Sequence, residues 1–149
     1  MKSFDFPLER VLRWRAAQLA SEEAKLQRLI EEQTRMQQQV HVLRAERLKT
    51  EGSAASLGSL HGADLASLHG YRLHTAGEER RLIELLKRKD EEIAAQQKCY
   101  REARRKCRLL EELRSRKLAA WRYEWDRELD QIAAESYTAA KFREREAES

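Results

Sequence analysis

Between Pro7 and about Lys49 the chain carries no glycine and no second proline, and its apolar residues return every three or four positions. With Leu12, Leu19, Leu26, Gln33, Val40 and Arg47 at heptad position a, position d falls on Leu8, Arg15, Glu22, Leu29, Met36 and Leu43. Eight of these twelve are apolar, which predicts a helix that turns one narrow seam toward a partner helix. Pro7 suits the first turn, where its missing N–H would have no partner anyway, so helix 1 is expected over about 7–50. Arg15, Glu22 and Gln33 weaken the seam but can fix its register. The flanks are rich in Glu, Gln, Lys and Arg, so the helix is not buried all round.

The pattern changes at residue 51. All five glycines fall between Gly52 and Gly77, with Leu57, Leu60, Leu65, Leu68 and Tyr71 among them. Glycine is a poor helix-interior residue, so about 51–75 reads as a glycine-rich turn region carrying short helical turns. Thr75–Ala76–Gly77–Glu78 fits a capping box and predicts the start of helix 2, which should run over about 76–140. Its seam places Leu86, Ile93, Tyr100 and Cys107 at a, and Leu82, Lys89, Gln96, Ala103 and Leu110 at d. The frame then slips by a stutter, and Leu113, Leu118, Trp121, Trp125, Leu129 and Ile132 carry the stripe onward. Residues 141–149 should fray.

Two seams and one turn region make an all-α chain, a long antiparallel two-helix coiled coil (a helical hairpin) forming a single domain over 1–149. A fold-back centre near residue 64 would pair positions whose numbers sum to about 128. Phe4, Phe6, Trp121 and Trp125 then meet at the open end as an aromatic clasp. Two independent helices in an intermolecular dimer are the alternative arrangement.

Composition agrees with long helices. Ala, Glu, Lys, Leu and Arg supply 91 of the 149 residues, whereas Val, Ile and Thr supply 11, too few to furnish a sandwich, a barrel or a nucleotide-binding sheet. No apolar run is long enough to cross a bilayer, and MKSFDFPLERVLRWR lacks the apolar stretch of a signal peptide, so a cytosolic protein is expected. Cys99 and Cys107, eight residues apart on one helix, are too distant to bond each other and read as free thiols.

Candidate chemistry is sparse. Neither glycine-rich phosphate cradle is encoded. His69 and His74 are five apart, the wrong spacing for one helical face, and His61 has no paired ligand in register. A two-helix hairpin also offers no enclosed pocket, so neither catalysis nor a metal or other cofactor is expected. The basic cluster is more informative: Lys98–Lys117 holds nine basic and three acidic residues. Within it Arg101, Arg104, Arg105 and Arg108 follow helical i, i+3, i+4, i+7 spacing and form one stripe. Nucleic acid is not the expected partner, because no aromatics interleave with the stripe, and a lipid surface fits poorly because the opposite face is a seam. A solvated face and an acidic protein groove both remain open.

The opening MKSFDFPLERVLRWR, and the stretch CRLLEELRSRKLAAWRYEWDRELDQIA with its Leu-Glu-x-Leu, Arg116–Lys117 and Leu129–Asp130, resemble the FliJ family of the bacterial flagellar type III export apparatus. Gln131 stands where that family more often has Glu. The resemblance implies a non-enzymatic, chaperone-like component of flagellum biogenesis, protein transport and cell motility. It would be a rod coupling the export ATPase ring to the export-gate membrane protein and assisting export chaperones. It would be monomeric when free, and cytoplasmic, held peripherally at the inner membrane. Leu113, Arg116, Trp121, Leu129 and Asp130, with the arginine stripe, become ATPase-facing candidates, and Leu65, Leu68 and Tyr71 gate-facing ones. A generic coiled-coil spacer or scaffold is the alternative reading.

Overall fold

A computed structural model describes residues 2–149. The chain is all-α: α1 spans Glu9–Ser56 and α2 spans Gly62–Glu148, and they form an antiparallel helical hairpin. Among the described residues no helix is long and apolar enough to cross a membrane. Two compact units divide it, one of Met1–Gln18 with Ala103–Ser149 and one of Leu19–Glu102.

The unit of residues 19–102 contains the turn, which is narrower than the glycine content suggests. Only residues 57–61 leave helical geometry, rather than about 51–75. Gly58 supplies the reversal with φ of 72°, a left-handed conformation that glycine alone adopts without cost at the end of a helix. Gly52, Gly70 and Gly77 lie inside helices and face open space. Each weakens its helix by about 1 kcal/mol relative to alanine, which seam packing outweighs. Thr75 is therefore no cap. It is 2 % exposed in mid-helix, and its hydroxyl donates back to the carbonyls of Tyr71 and Arg72 at 2.9 and 3.1 Å. The helix instead begins at Gly62 with Asp64 in its first turn, where a carboxylate complements the exposed N–H groups.

Register follows from cross-helix bonds. Gln33 donates to Asp90, Arg44 to Glu79 at 2.6 Å, and Arg72 pairs with Glu51 at 3.3 Å. In all three the residue numbers sum to 123, not about 128, so the fold-back centres between His61 and Gly62, at the start of α2, and not at residue 64. Every a and d position expected of this unit is buried or half-buried, the polar ones included. Those polar positions are matched in pairs: the Gln96 amide donates to Glu22, and the Lys89 ammonium lies 2.7 Å from Glu32 and 3.1 Å from Glu92. That triad raises the Lys89 pKa, chiefly through its hydrogen bonds to Glu32 and Glu92. It lowers that of Glu32, chiefly through the hydrogen bond from Lys89. What reads as a patchy seam is a series of complementary polar layers between Val40, Leu82 and Ile93, which are buried.

In the unit of residues 1–18 and 103–149, the segment before α1 is anchored at Phe6, which is 4 % exposed and whose carbonyl accepts from Glu9 N. Arg114 bonds Glu9 at 3.0 Å and Trp121 bonds the Lys2 carbonyl at 3.1 Å, both again summing to 123. On α2 the covered positions run Ala103, Cys107, Leu110, Leu113 with Arg114, Leu118, Trp121, Trp125 and Glu128. One four-residue step in excess falls between Arg114 and Leu118, the expected stutter. Beyond Glu128 the cover stops: α2 continues to Glu148 with every residue from Leu129 onward exposed. Leu129 and Ile132 thus do not continue a covered seam: both are exposed, at 47 % and 53 %. Nor do residues 141–148 leave the helix. Ala139, Ala140 and the Lys, Arg and Glu residues after them are strong helix formers.

Candidate functional site

The site that both the sequence and the packing single out lies in the unit of residues 1–18 and 103–149, where the N-terminal segment meets α2. The chain before α1 lays Phe4 against Trp121, with ring centroids 6.0 Å apart and planes inclined by 56°. Trp121 stacks on Trp125 at 5.6 Å and 19°. Offset and tilted arrangements of this kind suit the ring quadrupoles, and the Trp121 N–H is satisfied by the Lys2 carbonyl. Arg114 also packs on Phe4, its guanidinium 5.7 Å from the ring centre while bonded to Glu9. Phe4, Trp121 and Trp125 are therefore brought together, and Phe6 is buried beside them in the chain. A shallow open recess of about 480 Å³ lies alongside, lined by Lys2, Phe4, Pro7, Lys117, Trp121 and Glu124 among others.

Around this cluster the charge is strongly positive. Arg104, Arg105 and Arg108 are exposed and form no ion pair among the described residues. Arg116 is exposed too, and Leu113 is half-buried toward the seam. Arg101 is exposed on the same helix but belongs to the unit of residues 19–102. Sequence spacing alone misses the contribution of α1. At the register of this unit Arg15 is level with Arg108, and Arg10 and Arg13 lie on the same stretch. Residues 9–18 and 103–117 together carry ten basic and three acidic side chains. Trp14, 56 % exposed, stands among them with the Arg15 guanidinium 4.6 Å over its ring. Such a band attracts carboxylates over roughly a Debye length, ~8 Å at physiological salt.

The remaining candidates separate from this cluster. Leu129 and Asp130 are exposed on the part of α2 that has no helix opposite it. Leu65 is exposed, and Leu68 and Tyr71 half-buried, on the first turns of α2 in the other unit rather than in a broad loop. Cys107 is 2 % exposed with Sγ 3.7 Å from Glu111, and its thiol is pushed up, first by burial and then by the Glu111 charge. Cys99 is exposed. Among the described residues no group of His, Cys, Asp and Glu is placed to hold a metal ion. Comparison of the chain with protein-family models, with curated proteins and with solved structures finds no match.

Proposed function

We propose that this chain is a non-enzymatic coupling component of a flagellar type III protein export apparatus. It would engage the export ATPase ring through the arginine band and aromatic cluster, and the export gate through Leu65, Leu68 and Tyr71. In this reading it also assists export chaperones and works at the cytoplasmic face of the inner membrane. The observation that carries the reading is the row of exposed guanidinium groups of Arg104, Arg105 and Arg108, without an ion pair among the described residues, set beside an N-terminal segment fastened by Phe4 and Trp121. A fastened end holds such charges in fixed positions, and fixed charge complementarity gives specificity and fast association. The resemblance of the two terminal stretches to the FliJ family supplies the identity of the partner.

The test is stimulation of the export ATPase from the same cell by purified protein across a salt series. Stimulation should fall as salt rises, and Arg104→Glu/Arg108→Glu should weaken it by about tenfold or more at low salt with helix content unchanged. A charge-reversed chain that stimulates as well as wild type makes the band a solvated face. A wild-type chain that neither binds nor stimulates leaves the spacer reading in its place.

A further inference from the structure

Two rows of side chains run down one side of the unit of residues 1–18 and 103–149, starting from the recess beside Phe4. On α1 the row is Pro7, Val11 and Trp14, and on α2 it is Ala120, Lys117, Leu113 and Leu109, each step three or four residues long. Pro7 lines the recess together with Lys117 and Ala120, so both rows leave it on the same side of the helix pair. The register that joins Arg114 to Glu9 sets Trp14 level with Leu109 and Val11 beside Leu113. Val11 is 41 % exposed, Trp14 56 % and Leu109 57 %. At the stutter α2 covers both Leu113 and Arg114, so the apolar face of the seam widens toward this side. From Trp121 to Leu109 the groove is about 18 Å long, a little over three turns of helix. Its borders are cationic. Arg10, Arg105, Arg116 and Lys117 stand along it without an ion pair among the described residues, and the Arg15 guanidinium lies on Trp14. Among these five cations there is one carboxylate, Glu112, while Asp5 and Glu124 lie with Lys2 at the recess.

We propose that this groove docks one amphipathic helix of another protein, apolar along one face and acidic on both flanks. Two rows of side chains at helical spacing leave between them the kind of furrow into which a third helix packs its own ridge. Val11 and Leu113 lie nearer the seam and Trp14 and Leu109 farther out, so the surface is concave across its width. A bilayer would touch its outer edges and leave its floor wet. The border charges choose the helix. Carboxylates on its flanks meet Arg10 and Arg15 on one side and Arg105, Arg116 and Lys117 on the other, whereas a basic helix would bring like charge against all five. The recess, of about 480 Å³, takes one bulky side chain at the end of that helix. This surface is distinct from the row proposed to meet the ATPase. Arg104 stands half a turn around α2 from Leu113, and of that row only Arg105 borders the groove.

The test is selection by the full chain from a display library of helical peptides about 14 residues long, with Leu fixed along one face and the other positions random. Retained peptides should carry Asp or Glu beside the Leu face. Trp14→Ser/Leu109→Ser should weaken their binding at least tenfold with helix content unchanged, since both side chains are exposed. Arg116→Glu/Lys117→Glu should weaken it about tenfold and restore binding to peptides whose acids are replaced by Lys. Arg104→Glu/Arg108→Glu should bind as wild type, so failure here leaves the ATPase assay to stand or fall separately. The proposal is overturned if no peptide is retained, if the retained ones are not enriched in acids, or if the Trp14→Ser/Leu109→Ser chain holds them equally well. Binding to anionic phospholipid vesicles that depends on Leu109, or self-association that does, would place a lipid surface or a second copy in the groove and also overturn it.

Discussion

Replacing the three helical glycines by alanine should stabilise this protein, although a reading of the sequence as a broad turn would expect the opposite. Gly52 lies near the end of α1, and Gly70 and Gly77 lie inside α2. A methyl built on any of them meets nothing within 4 Å. The gain is then the difference in helix cost between glycine and alanine, about 0.5–1 kcal/mol each. Gly70 and Gly77 are two turns apart and should add, while Gly52 is nearly level with Gly70 across the hairpin and could couple to it. The triple variant should gain about 1.5–3 kcal/mol, and at ~2–4 °C per kcal/mol for a chain of this size its melting temperature should rise by about 3–12 °C. Gly58→Ala is the control. At φ of 72° a side chain costs about 1–2 kcal/mol, so this variant should melt lower. Circular dichroism melts of both variants make the comparison. If the triple variant melts lower than wild type, residues 62–77 are not continuous helix and the narrow turn is wrong.

The aromatic cluster and the polar layers make further predictions. Trp121→Ala removes a half-buried indole, its contact with Phe4 and its bond to Lys2, and should cost about 2–3 kcal/mol. Trp121→Phe loses mainly the bond and should cost about 1 kcal/mol. Amide exchange over residues 9–15 should quicken in that order, and equal protection in both variants would mean the chain end is not fastened there. The Lys89–Glu32 pair should contribute to stability only within a pH window. Glu32, with its pKa lowered, contributes above the ordinary carboxylate range, and its share is lost as pH falls through the folded value. Lys89, with its pKa raised, contributes below the ordinary lysine range, and its share is lost as pH rises through the folded value. Denaturant midpoints of wild type and Lys89→Met should therefore differ most between about pH 5 and 10 and converge outside it.

The seam is where the sequence is most legible. Heptad spacing locates covered positions even where they are Gln33, Lys89 or Gln96, because a helix face is fixed by the helical repeat and not by the polarity of one residue. What spacing does not contain is the partner: that Lys89 meets Glu32 and Gln96 meets Glu22 depends on the register, which the turn sets. The turn misleads because glycine propensity is worth about 1 kcal/mol, less than the packing around Thr75 and Tyr71 contributes, so local preference loses to tertiary contact. The arginine stripe on α2 is visible in the spacing, whereas Arg10, Arg13 and Arg15 join it only once the two helices are aligned. The exposed stretch beyond Trp125 is hidden for the same reason. Which part of α2 is covered follows from the register of the two helices, which no local pattern encodes.

The unequal burial of the two thiols gives the protein an internal clock. Cys99 is open to solvent and should react with a thiol reagent at once, whereas Cys107, sealed in the seam with its pKa raised first by burial and then by Glu111, can react only when the helices part. Its labelling rate, divided by that of a free thiol, measures how often residues 1–18 and 103–149 come open. A partner that grips this end without touching the sulfur must slow that rate. Docking could thus be timed on the natural chain by mass spectrometry, with no probe attached.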